Sequence, residues 1–276
     1  MPDKIATVMI IFSLLLTLAG TVNAETVTVA GSGGMIPLLT ALGAAHMRKY
    51  PQDEIKVNPN SLTQSGGILA AKNGAVDIGM SARSLEAREL SYSVDAYHIA
   101  DVAAAVAVHG NVGVANITSK QLCAIYSGKI TNWRELGGHD ARIIVLTRPE
   151  SDSTKQAFRN GIPCFGKLLE TTESISMFSS NAMLSVLLRT QDSIGMIDSI
   201  ALEQSHGRAR QVKLDGRTVS AEEIASGRWP VIKRYTLVIG KNRKKATDRF
   251  MRFIKSREGA ALISKHNGIP VIFPYP

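Results

Sequence analysis

Along this chain, short apolar runs end in turns rich in glycine and serine, and most of these turns lead into a helical period. Thr26 to Ala30 alternates Thr-Val-Thr-Val-Ala and predicts a strand. Gly31-Ser32-Gly33-Gly34-Met35 then turns into a helix whose apolar positions run from Ile36 through Leu38, Leu39, Leu42 and Ala45 to Met47. Pro37 falls in the first turn, where its missing N–H costs nothing. Glu54 to Val57 predicts a second strand, Asn60 to Gly67 a polar turn, and Ile68 to Lys72 a short helix. Val76 to Met80 is a third strand, closed by Ser81-Ala82-Arg83-Ser84.

The unit recurs after the long apolar strand Ile99 to Val108. Thr118 to Leu122 opens a helix that stops at Ser127-Gly128, and Lys129 to Trp133 follows as a loop. Ile143 to Leu146 is a buried strand, Asn181 to Leu188 a helix, Ser193 to Ile197 a strand and Ser220 to Ala225 a short helix. Arg234 to Gly240 is a second long apolar strand, and one terminal helix is expected from about Lys244 to Lys265. Repeated strand, turn and helix define an α/β chain with mostly parallel sheets covered by helices. Two such units joined by two long strands predict a hinged pair of lobes. In such sheets ligands bind beyond the carboxyl ends of the strands, where the Ser/Gly turns gather.

Thr147-Arg148-Pro149-Glu150-Ser151-Asp152-Ser153-Thr154-Lys155 carries the most chemistry. An arginine at a strand end and hydroxyls at a helix start converge where the first backbone N–H groups lack partners and the helix dipole is positive. That combination holds an oxyanion, with Arg148 as a planar fork and Ser153 and Thr154 as neutral donors. The alternative is a helix capped by Asp152 or Ser153 beside a solvated Arg148. Lys155 falls inside the helix and is expected to face water. The Gly31–Met35 turn either lets a ligand approach the backbone or is a plain strand–helix turn; it lacks the third glycine and the acidic residue of a dinucleotide fingerprint. Asp77, inside a strand, reads as a structural acceptor.

Composition narrows the setting. Lys4 and the apolar run Ile5 to Leu18, followed by Val22-Asn23-Ala24, predict a secretory signal over residues 1–24, cut before Glu25. No cysteine stands at that point, which excludes lipid anchoring there and places the mature chain in a periplasm. Lys and Arg total 32 against 23 for Asp and Glu, a net charge of +9. The cations are scattered, and export argues against nucleic acid; a diffuse positive field instead favours capture of a small anion. Cys123 and Cys164 enter an oxidising compartment, and the sequence leaves open whether they are close enough to bridge. The six histidines show no metal-ligand spacing and no Gly-x-Ser-x-Gly elbow is present, so neither cofactor, metal nor catalysis is expected.

Tyr126-Ser127-Gly128-Lys129-Ile130-Thr131-Asn132-Trp133-Arg134-Glu135-Leu136-Gly137-Gly138, Val76-Asp77-Ile78-Gly79-Met80-Ser81-Ala82-Arg83, the Ser65-Gly66-Gly67 turn and the closing Asn267-Gly268-Ile269-Pro270 together resemble the periplasmic phosphate-binding proteins of the phosphate ABC transporter. The resemblance spans nearly the whole mature chain. It implies a two-lobed periplasmic binding protein of type II, with residues 25–105 plus 231–276 as lobe one, 106–230 as lobe two and two crossover strands as the hinge. It implies a monomer that holds phosphate or a similar small anion and meets a membrane ABC permease transiently. Carried over residue by residue, the ligand-binding set is Gly33, Gly34, Met35, Ser65, Ser81, Arg83, Arg148, Asp152, Ser153 and Thr154.

Two positions depart from that family. It has a threonine where this chain has Gly34, and commonly a serine where this chain has Asp152. Asp152 either accepts the proton of a protonated anion, with Arg83 balancing its charge, or only caps the helix. The departures leave the fold as it is and the ligand open; the alternatives to phosphate transport are another oxyanion, a small organic acid, or a sensory or extracellular interaction role.

Overall fold

The computed structural model describes residues 24–241 and 243–275, so nearly all of the expected signal segment lies outside the described residues. The first stretch runs β1 (Glu25–Gly31), α1 (Ile36–Lys49), β2 (Asp53–Val57), α2 (Thr63–Lys72), β3 (Ile78–Ser81) and the long β4 (Val94–His109). The middle contains β5 (Asn116–Ile117), α3 (Ser119–Tyr126), β6 (Ile144–Thr147), α4 (Ser153–Gly161), β7 (Ile175–Ser176), α5 (Ser180–Leu187), β8 (Ser193–Asp198), α6 (Ser199–Glu203), β9 (Ala209–Gln211), β10 (Lys213–Leu214) and α7 (Ala221–Ala225). The chain closes with β11 (Ile232–Gly240), α8 (Lys245–Lys255), α9 (Arg257–Lys265) and β12 (Gly268–Pro270). This is the α/β architecture that the repeated unit predicts.

Ten strands form one sheet in the order β2-β1-β3-β11-β4-β8-β6-β7, with β9 and β12 paired to β4. The flanks are parallel: β1 with β2 and β3, β6 with β7 and β8. The centre is antiparallel, because β11 runs against both β3 and β4, and β4 against β8. Strand β4 therefore belongs to both flanks: Val94 to Ala103 pair with β11, and Ala104 to Val108 with β8. Ala100, Ala103, Ala104, Ala105 and Ala107 are fully buried along it, and their small side chains let elements pack closely on both faces.

Two main apolar clusters follow from this layout. One gathers α1, β1 and β3 with Phe250, Met251 and Ile254 of α8; the other gathers Trp133, Phe158, Phe165 and Trp229 around α3 and α4. Burial of this kind stabilises at about 25 cal/mol per Å2 of apolar surface, and it fixes the strand ends against which the loops are held. Asp77 is the structural acceptor expected of it, taking hydrogen bonds from the Thr28 N–H and hydroxyl and from Lys244.

The single terminal helix expected over Lys244–Lys265 is two helices. Ser256 is extended (φ −69°, ψ 165°), ends α8, and accepts from the Gly259 N–H to cap α9. A serine hydroxyl that competes for a backbone N–H favours such a break over a continuous helix. Cys123 in α3 and Cys164, just beyond α4, form a disulfide.

Candidate functional site

Strand β6 delivers Thr147 and Arg148 to its carboxyl end, and α4 starts five residues after Arg148, at Ser153. Val145 and Leu146 on one side of this turn and Ala157 and Phe158 on the other are buried, which anchors both of its ends in the core. Arg148 is only 4% exposed. One of its terminal nitrogens, Nη2, donates to Asp152 Oδ2. Nε and Nη1 are buried and have no hydrogen-bond partner among the described residues. Buried N–H groups on a cation are costly to leave unpaired, so these donors point to an acceptor that the protein does not itself supply.

Asp152 is the cap of α4. Its Oδ1 accepts from the N–H groups of Thr154 (2.9 Å) and Lys155 (3.2 Å). Burial pushes its carboxyl up, but Arg148, the nearby charge of Lys233 and the capping N–H more than offset this and hold it below the usual carboxylate range. Arg148 rather than Arg83 thus balances Asp152. Arg83 is committed elsewhere, forked onto Glu89 at 2.6 and 2.9 Å and donating to Ser65 Oγ at 3.1 Å. Glu89 is 3% exposed and, with burial opposing it, raises the Arg83 pKa.

The remaining expected residues fall into three places. Gly33, Asp152 and Ser153 line a cavity of about 160 Å3 together with Ser32 and Gln64, whose buried amide oxygen has no partner among the described residues. Ser65, Arg83 and Ser153 line a wider cleft of about 830 Å3 that shares Gln64 and Ser151 with that cavity. Met35 and Ser81 are fully buried. The Met35 N–H donates to the Ser32 carbonyl and the Gly33 N–H to Ser61 Oγ, while the Ser81 hydroxyl donates to the Arg83 carbonyl. Those groups therefore serve their own turns in this structure. A cavity of about 510 Å3 between α6, α7 and β12 has Glu203 as its one ionisable lining residue, which makes it unsuited to an anion.

Lys155 does not face water. It is 3% exposed, and its ammonium reaches Glu170 at 2.7 Å, the Arg148 carbonyl at 3.0 Å and Thr147 Oγ1 at 3.2 Å. The helix is short, and its third residue packs back over the end of β6 rather than outward.

Two charged residues absent from the sequence reading sit at the same place. Asp198 closes β8, parallel to β6, and Lys233 enters from β11. Their side chains are each 1% exposed and lie 2.6 Å apart. Asp198 also accepts from Ser180 Oγ (2.9 Å) and Thr154 Oγ1 (3.2 Å). Opposite them, Gly34 presents bare backbone, its carbonyl accepting from the Tyr235 hydroxyl at 2.7 Å. Burial, then Asp198 and Asp152, push the Tyr235 phenol well above its ordinary pKa, so it remains a neutral donor. The turns after β1 and β6 and the ends of β8 and β11 thus meet at one polar, buried point.

Such a fold, with a polar cleft at the carboxyl ends of two strand–helix units, is that of a bilobal binding protein. The chain belongs to the PBP superfamily, whose domain model matches residues 18–258. It is 31% identical over 207 residues to the phosphate-binding protein PstS of Bacillus subtilis, an alignment covering 74% of this chain and 66% of that relative. Borreliella burgdorferi PstS is 23% identical over 264 residues, 92% of each chain. A Clostridium perfringens structure described as a phosphate ABC transporter substrate-binding protein with bound phosphate superimposes with a TM-score of 0.81, at 29% identity, over 90% of this chain and all of that one.

Proposed function

We propose that this protein is a non-enzymatic solute-binding protein that captures phosphate between two lobes and passes it to a membrane ABC permease. The observation that carries this is Arg148: a buried guanidinium just before α4 with two nitrogens unpartnered among the described residues, in a chain similar to phosphate-binding relatives over most of its length. Lobe one comprises residues 25–105 and 231–276, lobe two residues 106–230, and β4 and β11 form the hinge. A signal over residues 1–24 exports it to the periplasm as a monomer without a lipid anchor. No cofactor or metal takes part.

Thermal melts of the chain from Glu25 onward test the proposal. At about 100 times its dissociation constant a ligand adds roughly 2.7 kcal/mol. For a chain of this size that raises Tm by about 5–10 °C. Millimolar phosphate is expected to do so where chloride does not, and equal melts in the two would refute it. The Asp152 carboxylate, which occupies N–H groups that an anion would otherwise take, favours a second reading, namely a different oxyanion or a small organic acid. Calorimetry with phosphate, sulfate and small carboxylates separates the two.

A further inference from the structure

We propose that Lys233 is a ligand-contacting residue of the anion site and that Gly34 is the notch that admits it; this rests on the phosphate reading above. Residues alternate along β11: Lys233 and Tyr235 are buried on one face while Arg234 is exposed on the other. That face turns the Lys233 ammonium toward Thr154, 3.3 Å away, and Asp198, 2.6 Å away. On the opposite side, a Cβ built on Gly34 would lie 2.8 Å from the same nitrogen and 2.6 Å from Asp198 Oδ2. Nζ therefore sits between the first turn of the chain and the start of α4, the two segments expected to grip the anion from either side. Its charge also reaches Asp152, as Arg148's does.

A buried lysine–aspartate pair gains little stability over apolar side chains of the same volume, so packing alone is a poor reason for it. An ammonium has three donors. Asp198 and Thr154 take two of them, and no further hydrogen bond of Nζ is made to the described residues. Asp198, itself steadied by Ser180, positions that ammonium beside the ligand's place. The geometry supplies a compact, movable cation where Gly34 offers no side-chain donor, and it places a buried positive charge there in addition to those of Arg148 and Lys155.

The test removes the pair without stranding a charge. Lys233→Met/Asp198→Asn is expected to fold, by circular dichroism, and to bind phosphate about 10- to 100-fold more weakly in calorimetry, the range for losing a hydrogen bond to a charged group. Adding Gly34→Thr to that background is expected to restore part of the affinity by returning a hydroxyl donor, which a merely structural role for the pair would not give. In the wild-type background Gly34→Thr should lower Tm, because its Cβ meets Asp198 and Lys233. Should the double variant fail to fold, the Lys233 ammonium resonance of the wild type is followed by NMR during a phosphate titration, and a shift at saturation is expected. An unchanged affinity in the folded double variant, or an unmoved resonance, overturns the role of Lys233 alone. A wild type that binds no phosphate overturns instead the reading on which it rests.

Discussion

Arg148 and Lys155 stand seven residues apart around the same turn, and both are buried cations, yet their environments assign them opposite roles. Among the described residues Arg148 has two unpartnered nitrogens, whereas the Lys155 ammonium is held by Glu170, Glu150, Thr147 and the Arg148 carbonyl. Arg148→Ala is therefore expected to cost about 2–5 kcal/mol of phosphate affinity in calorimetry, with a smaller effect on folding. Lys155→Met should do the reverse: it strands the nearly buried Glu170 and lowers unfolding free energy by about 3–5 kcal/mol, read in denaturant titrations, while affinity changes less than tenfold. Equal binding losses in the two variants would contradict this division. That Arg148, Asp152 and Thr154 meet at one turn was legible because a strand end followed by a cap and a helix start is a local pattern; that the Thr154 hydroxyl donates to Asp198 was not. Lys233 and Asp198 were not. Each lies just beyond the apolar run that marks its strand, and each looks like a solvated charge until its partner is known. A buried ion pair assembled across 35 residues leaves no periodic trace. Lys155 misleads for the same reason.

Between residues and molecule, the helices and long strands follow their apolar periods closely, since those periods record which face is buried. The two-residue strands β5, β7 and β10 exist only because neighbours present paired edges, so no local signal marks them. The break at Ser256 was hidden by apolar positions that continue through it into α9. The disulfide was open on sequence and is settled by contact: it ties α3 to the turn that follows α4, across 41 residues. Closing a loop of that length restricts the unfolded chain by about 4 kcal/mol. Cys123→Ala/Cys164→Ala is expected to lose up to that amount in guanidinium unfolding, and the wild type to behave like the variant once reductant is added. A midpoint that reductant leaves in place would count against any stabilising role.

For the molecule as a whole, carboxylates shape the response to acid. Arg159, with help from Lys155, holds Glu150 down to about 2, and Arg83 holds Glu89 down. Burial pushes Asp53 and Asp77 up, but Arg249 and His46 in one case and Thr28 and Lys244 in the other more than offset it. Groups depressed in this way stabilise the fold fully above their unfolded values of 3.8 to 4.5 and lose that contribution as pH falls through their folded values. His46, kept neutral chiefly by burial, adds an earlier and gentler decline below its ordinary 6.5. Tm is thus expected to drift down slightly from pH 7 to 5 and to drop steeply below about pH 4.5; a curve level to pH 3 would contradict these pairings. At this scale the recurring strand, turn and helix made the α/β class readable, but strand order was not, because β11 comes late in the chain and lies between β3 and β4. That placement has a bearing on how the protein is made. A chain that stops before residue 232 has no strand to bridge the facing edges of β3 and β4. The two flanks of the sheet can therefore join only once one of the last segments of the chain is available to lie between them.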